Sequence, residues 1–134
     1  ALAMAEEQRY GAATSRSRQL LEEQLAKLGE LNAYRQGYKD RTHAVTDVGA
    51  VQWKDYQCFL ARLDKALAAQ QQIVRDSEQN LELHRRRWQA KRQRVESLEK
   101  ALDKYRSEER LHSERQQQRA QDDRPLPTAP YGDD

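Results

Sequence analysis

Apolar residues recur at intervals of seven along the second half of the chain. Because a repeat of seven keeps one stripe of a helix facing a neighbour, this pattern over about six heptads predicts an α-helix that supercoils with a partner helix. One column contains Leu60, Leu67, Val74, Leu81, Trp88, Val95 and Leu102. A second column, offset by three, contains Tyr56, Leu63, Gln70, Ser77, His84, Lys91, Leu98 and Tyr105. The polar middle of the second column lowers the stability of the seam but helps to fix its register.

A short segment between the two halves of the chain disfavours helix. Residues 42–51, THAVTDVGAV, combine β-branched side chains with Gly49, and branching at Cβ restricts χ1 against the preceding helical turn. Asp47 is placed to cap a following helix through its carboxylate. The sequence therefore predicts a turn at about 43–49 between two helices.

The predicted organisation is one helical hairpin followed by a tail. Since helix 2 needs a partner for its stripe, helix 1 is expected to fold back against it. We predict an all-α protein, a long antiparallel two-helix coiled-coil hairpin whose second helix is longer than the first. Helix 1 spans about 1–42, helix 2 about 50–121, and 122–134, DDRPLPTAPYGDD, form a disordered Pro-containing tail. This arrangement leaves about 90–121 without a partner inside the chain.

Apolar residues also lie beside the seam. In helix 1, Leu21, Leu25 and Leu28 continue the seam, whereas Asn32 and Arg35 occupy its next positions. A second helix 1 face carries Leu20, Leu31, Tyr34 and Tyr38, and helix 2 carries a flanking column of Phe59, Ala66 and Ile73. Two interpretations remain open from the pattern alone: a wide core that uses a third position besides a and d, or an exposed patch that binds a partner.

Composition supports an elongated helical protein without a thick core. The chain has 134 residues, of which 34% are charged and 37% hydrophobic, with a mean hydropathy of −1.17. No apolar run approaches the roughly 20 residues of a membrane span. The net charge of +2 does not demand a polyanionic partner. The single cysteine, Cys58, cannot form an intrachain disulfide, which fits a reducing cytosol. The opening ALAMAEEQRY is rich in helix formers, so we expect helix 1 to begin further upstream.

Catalytic and metal-binding patterns are missing from the sequence. The three histidines, His43, His84 and His112, lack metal-ligand spacing. There is no phosphate-cradling glycine loop and no HExxH motif. We therefore expect no enzyme activity, no catalytic residues, no cofactor, no metal and no small-molecule substrate.

A basic cluster, RRRWQAKRQR, spans Arg85 to Arg94 and contains six cationic residues and no acid. Three interpretations are open: a solvated helix whose arginine stems lie around Trp88, a contact inside an acidic-lined protein pore, or a nucleic-acid contact. On helical spacing these charges encircle the helix, which favours a pore over one phosphate track. We therefore expect no nucleic-acid partner.

The aromatic run after the turn resembles a known family. The run W-x-x-Y-Q-x-F-L-x-x-L-D-x-A-L, from Trp53 to Leu67, follows the Gly-containing turn, and L-x-x-Y-x-x-x-Y, from Leu31 to Tyr38, precedes it. Together they resemble the flagellar type III export protein FliJ family over roughly residues 15–110. The resemblance implies a two-helix stalk similar to that of the rotary ATP synthase γ subunit. It would stand in the pore of the hexameric export ATPase and promote ring assembly.

The resemblance also implies further partners and their sites. These are the cytoplasmic side of the membrane export gate and the export chaperones, bound by a monomer at the inner face of the membrane at the flagellar base. The gate-contacting patch carries over to Leu31, Tyr34, Tyr38, Phe59, Leu63, Ala66 and Gln70, although Leu63 and Gln70 also lie in the seam. A stalk would turn its open end, residues 1–20 and 90–121, towards the ATPase, with Arg85, Arg86, Arg87, Arg92 and Arg94 as candidate contacts.

Alternative functions remain open from the sequence. The chain could be a generic structural coiled coil that associates with itself through residues 90–121. It could also be the equivalent stalk of a virulence type III secretion system, or a helical protein associated with RNA or DNA.

Overall fold

A computed structural model describes residues 2–44 and 49–123 of the chain. Helix α1 spans Leu2–His43 and helix α2 spans Ala50–Asp122, 42 and 73 residues respectively. The centre of the predicted turn, residues 45–48 with the Asp47 cap, lies outside the described residues. Most of the predicted tail, residues 124–134, also lies outside them.

Local hydrogen bonds mark the helix ends on either side of the turn. At the start of α2 the Gly49 backbone N–H donates to Oε1 of Gln52 at 3.3 Å, and the Trp53 N–H donates to the Gly49 carbonyl at 3.0 Å. A side-chain acceptor three residues after the cap is one half of a capping box. At the end of α1, Arg41 and His43 place basic groups in the last turn, where the helix dipole favours them.

The two helices pack antiparallel, and polar contacts fix their register. The Gln70 amide donates to both the backbone carbonyl and Oε1 of Gln24, at 3.0 and 2.8 Å. Further along the helices, the Trp88 indole N–H donates to Glu7. The buried residues of α2 are Tyr56, Leu63, Leu67, Gln70, Val74, Ser77 and Leu81, and from Leu63 onward they alternate at spacings of four and three. The predicted hairpin with a longer second helix, and the seam through these residues, are confirmed.

The seam of α1 differs from its prediction. Leu25 is exposed, and Gln24 takes the seam position because the spacing runs 21, 24, 28. The same spacing brings Leu31 and Tyr38 onto the seam, so the prediction of a separate face holds for Tyr34 and Leu20 only. The small side chains of Thr14 and Ser17 are buried. The hydrophobic pattern of the sequence did not mark these two residues as buried. They are buried because small side chains let the two helices come close together.

The described residues 94–123, which comprise the end of α2 and Asp123, belong to a separate unit. Apart from half-buried Val95, every residue in this range is exposed, including Leu98, Leu102 and Tyr105. Charged side chains four residues apart on this surface form ion pairs, such as Lys100 with Glu96 at 3.2 Å. Neither described helix holds a stretch apolar and long enough to cross a membrane.

Candidate partner-binding surface

Five aromatic rings cluster at the turn end of the hairpin, where α1 ends and α2 begins. Tyr38 stacks on Tyr56 with ring centroids 5.3 Å apart and planes inclined by 18°, and it also lies 4.5 Å from Phe59. Tyr34 meets Phe59 edge-on at 6.2 Å, and Trp53 lies 5.3 Å from Tyr56. Buried Tyr56 forms the base of this aromatic cluster, whereas Tyr34 and Trp53 form an exposed rim.

A buried aromatic base with an exposed aromatic rim suits a contact with another protein. Aromatic rings offer large contact areas at low entropic cost, and pairs of rings hold one another in place. Beside Phe59 lies a shallow depression of about 380 Å³ that is also lined by Tyr38, Asp55, Cys58 and Arg62. Within residues 2–44 and 49–123, Asp55 and Arg62 form no ion pair, so both charges are available to a partner.

The predicted gate patch divides by depth. Tyr34 and Ala66 are exposed, and Leu31, Tyr38 and Phe59 are half-buried. Leu63 and Gln70 are each only 8% exposed, and a partner would reach them only after the helices separate. The accessible part of the predicted patch is therefore Leu31, Tyr34, Tyr38, Phe59 and Ala66.

The hairpin has two flanks, one on each side of the seam. The apolar flank, where Tyr34 meets Phe59, comprises Ala13, Leu20, Lys27 and Tyr34 of α1 with Phe59, Ala66, Ile73 and Asn80 of α2. The polar flank comprises Gly11, Arg18, Leu25, Asn32 and Lys39 of α1 with Gln57, Asp64, Gln71 and Glu78 of α2. These sets follow from heptad spacing, since residues seven apart share a column. An ion pair between Arg35 and Asp64 spans the polar flank.

Trp88 anchors the end of the hairpin away from the turn. Its indole N–H donates to Glu7 Oε1 at 2.8 Å, and the Arg92 guanidinium lies 5.1 Å above its ring. Gly11 gives the ring space, because a Cβ at this position would lie 3.0 Å from Nε1 of Trp88. Trp88 is thus a structural knob, and the need for a small residue at position 11 was not visible in the sequence.

Lys91, on the same face as Trp88, is also held in place. Its ammonium pairs with Glu6 at 3.0 Å and lies 5.2 Å from the ring centroid of Tyr10. This polar seam residue therefore has partners on the opposite helix, as expected for a residue that fixes register.

The basic cluster is not uniform. Arg85 and Arg86 both pair with Glu82, at 3.9 and 3.0 Å, while Arg92 covers the Trp88 ring. Arg87 has no ion pair within the described residues. Instead it lines a depression of about 290 Å³ with Arg9, Tyr10, Ala13 and His84. Arg94, the last of the predicted candidates, is exposed at the start of the C-terminal unit. The convergence of Arg9 with Arg87 was not visible in the sequence, because they lie on different helices.

No group of three or more His, Cys, Asp or Glu side chains within residues 2–44 and 49–123 could hold a metal ion. Cys58 is free and exposed beside the aromatic cluster. What this arrangement offers is a contact surface, made of rings at one end and cationic groups at the other.

A model of the family described as Flagellar FliJ protein matches residues 1–125. The chain belongs to this family. Comparisons with curated proteins and with solved structures gave no match. The match confirms the resemblance seen in the aromatic run and assigns the chain to the flagellum and type III protein export. The FliJ family is a family of structural stalk proteins, not of enzymes, that interact within the flagellar export apparatus.

Proposed function

We propose that this FliJ family member is a non-enzymatic stalk and adaptor of the flagellar type III export apparatus. It promotes assembly of the export ATPase ring, couples that ring to the membrane export gate and contacts export chaperones. It acts as a monomer on the cytoplasmic side, at the inner face of the membrane at the flagellar base, where its action serves flagellum biogenesis and motility.

The observation that carries the gate contact is the aromatic cluster. Its exposed rim of Tyr34 and Trp53 rests on rings that are packed against the hairpin core, so the rim is already held in a fixed orientation before binding. Preorganised rings lose little entropy on association. We assign the gate contact to Leu31, Tyr34, Tyr38, Phe59 and Ala66, and we give Leu63 and Gln70 the supporting role of holding the helices together.

The gate contact is tested by the variant Tyr34→Ala, with Asn32→Ala on the polar flank as its control. Because Tyr34 is half exposed and contacts one ring, we expect less than about 1 kcal/mol of lost folding stability. Affinity for the purified cytoplasmic domain of the gate protein, measured by calorimetry, should fall at least about tenfold for a hot-spot tyrosine. Asn32→Ala should bind as the wild type does. Equal affinities for all three proteins would refute the gate contact.

The ATPase contact is assigned to the end of the hairpin away from the turn. Its cationic groups present positive charge from both helices. They are Arg9 and Arg87, Arg85 and Arg86, which pair with Glu82, and Arg92, which covers the Trp88 ring. Arg94 belongs to the C-terminal unit and is proposed as a separate contact of that unit. An acidic-lined pore would attract such a surface, and the attraction should weaken with salt.

A charge-reversal series tests this assignment. Replacing Arg9 and Arg87 by Glu should weaken ATPase binding and reduce ring assembly, seen by light scattering and electron microscopy. The control, Lys39→Glu on the polar flank near the turn, should assemble rings normally. Unchanged assembly with the double variant would remove these arginines from the contact.

A second candidate function is self-association through residues 94–123, favoured by the exposed side chains of Leu98, Leu102 and Tyr105. Light scattering decides it: a dimer at micromolar concentration that Leu102→Lys disperses would favour a structural coiled coil.

A further inference from the structure

The apolar flank carries a row of small and apolar side chains that Lys27 and Asn80 interrupt. The contact between Tyr34 and Phe59 fixes one level of this row. Two heptads away on each helix lie Leu20 and Ile73, which face each other at a second level because the helices run in opposite directions. The hydrogen bonds between Gln24 and Gln70 fix the register one turn from this second level.

Both residues of the second level are accessible. Leu20 is 45% exposed and Ile73 is 44% exposed. Between the two levels stand exposed Ala66 and the long side chain of Lys27, so no bulky ring interrupts the row. Among the residues assigned to the polar flank, Leu25 is the one large apolar side chain that is exposed, and it is also 45% exposed. The two flanks thus differ in how their apolar residues are grouped.

Beyond Leu20 and Ile73 the row reaches the depression lined by Arg9, Tyr10, Ala13, His84 and Arg87. None of these lining residues is a carboxylate. Neither arginine forms an ion pair in the part of the chain that the structure describes. Neighbouring Arg85 and Arg86 do have a carboxylate partner, Glu82. The row therefore begins with rings near the turn and ends in the cationic groups of Arg9 and Arg87, which form no ion pair among the described residues.

We propose that this row and depression form a docking track for one amphipathic helix of a partner protein. Apolar residues of that helix pack on Phe59, Ile73 and Leu20, and an acidic end lies over Arg9 and Arg87. The row sits beside the seam with heptad spacing, which is the spacing that a third helix presents when it packs in the groove of a helical pair. Phosphate tracks of nucleic acid would leave the apolar row uncovered, so a nucleic acid fits only the depression.

The proposal covers more surface than the aromatic cluster and names the chemistry of its occupant. The docking track is about 32 Å long from Ala13 to Tyr34, at a rise of 1.5 Å per residue. A helix of about 22 residues would fill it. The proposal does not depend on which export component supplies that helix.

A synthetic peptide tests the track directly. The probe is a fluorescently labelled amphipathic helix of about 22 residues, matched to the track length, with Leu at its a and d positions and Glu in two turns at one end. A second peptide carries Lys in place of those Glu residues. Anisotropy titrations use the full chain and four variants: Leu20→Lys, its equally exposed counterpart Leu25→Lys, Arg87→Glu, and Arg86→Glu as the control for charge.

We expect the acidic-ended peptide to bind the wild-type chain. Leu20→Lys should weaken binding by about tenfold or more, the usual size for losing one buried leucine contact, whereas Leu25→Lys should stay within about twofold. Arg87→Glu should weaken the acidic-ended peptide more than Arg86→Glu does, and it should improve binding of the Lys-ended peptide. Circular dichroism melts should show every variant folded, since each changed side chain lies outside the seam, with Arg86→Glu melting slightly lower because it loses the ion pair with Glu82.

Five outcomes would overturn the proposal, and the first four concern the peptides and the oligomeric state. These are no binding to the wild type, equal losses for Leu20→Lys and Leu25→Lys, no discrimination between the two peptides, and a concentration-dependent dimer that Leu20→Lys disperses. The fourth outcome would give the track to a second copy of the chain. Loss of peptide binding in a Leu102→Lys variant would instead place the peptide on residues 94–123, and this too would contradict the track.

Parallel titrations with the gate domain keep this inference separate from the proposed function. If the gate domain fails to bind the wild-type chain, the gate contact falls while the peptide result still decides the track. If Tyr34→Ala weakens the affinity for the gate domain and the peptide does not bind the wild-type chain, the gate contact stands and the track is refuted.

Discussion

The two flanks of the hairpin border the same seam and have different chemistry. The apolar flank presents Leu20, Ile73 and the ring pair Tyr34–Phe59 to solvent. The polar flank is occupied by amides and charges, with Asp64 paired to Arg35 and with Gly11 allowing close approach of Trp88. Folding needs only the seam, so apolar residues that remain exposed beside it on one flank suggest a second contact. A polar opposite flank leaves the hairpin with one binding side.

The largest effect should come from the seam, which both flanks share. Leu67 is buried between the two helices, so Leu67→Ala removes packing and leaves a cavity that costs about 2–3 kcal/mol. Urea unfolding followed by circular dichroism measures this loss. The apolar flank control is Ile73→Ala, which should cost less than about 1 kcal/mol. If Ile73→Ala cost as much as Leu67→Ala, the apolar flank would be core and no longer a free surface.

The heptad columns of α2 allowed the fold and the buried seam to be predicted from sequence. Leucine, valine and tyrosine at a regular spacing leave few choices of which face is buried. The seam of α1 was predicted less well, because Gln24, Thr14 and Ser17 are polar, and their seam positions depend on partners that a hydrophobic pattern does not reveal. The prediction that placed Leu25 in the seam was wrong for the same reason: this residue is apolar but stands one position away.

The candidate surface was partly visible in the same pattern. Columns beside the seam marked Tyr34, Phe59 and Ala66, and the family resemblance suggested their role. The depression with Arg9 and Arg87 was not predictable, since it needs the register between two helices. The pairing of Arg85 and Arg86 with Glu82 follows the helical spacings of three and four residues and was overlooked in the sequence. This pairing distinguishes Arg87, which has no such partner, from its neighbours.

An intermediate effect should distinguish two glycines of α1. A Cβ added at Gly29 would meet nothing within 4 Å beyond the helix's own backbone, so Gly29→Ala should stabilise the protein by up to about 1 kcal/mol through helix propensity alone. Gly11 lies on the polar flank, where an added Cβ would press on Trp88. We expect Gly11→Ala to lose that benefit and to be less stable than Gly29→Ala by about 1–2 kcal/mol.

Thermal and urea unfolding of the two glycine variants give this difference, and Trp fluorescence reports whether the indole of Trp88 moves. Equal stabilisation by both substitutions would mean that the indole of Trp88 moves away from the added Cβ without cost. The two helices would then not be closely packed at Gly11 on the polar flank.

The smallest effect should come from the exposed ion pair of the polar flank. Asp64 is half exposed and Arg35 about a quarter exposed, so solvent screens their attraction, and Asp64→Asn should cost about 0.5 kcal/mol or less. Unfolding at low and at high salt checks the origin of this cost, because the difference between wild type and variant should shrink as salt rises. Binding to the gate domain and to the acidic-ended peptide should not change, since the polar flank takes no part in either contact. A loss of binding with Asp64→Asn at unchanged stability would show that partners use both flanks, and the assignment of one binding side would then be wrong.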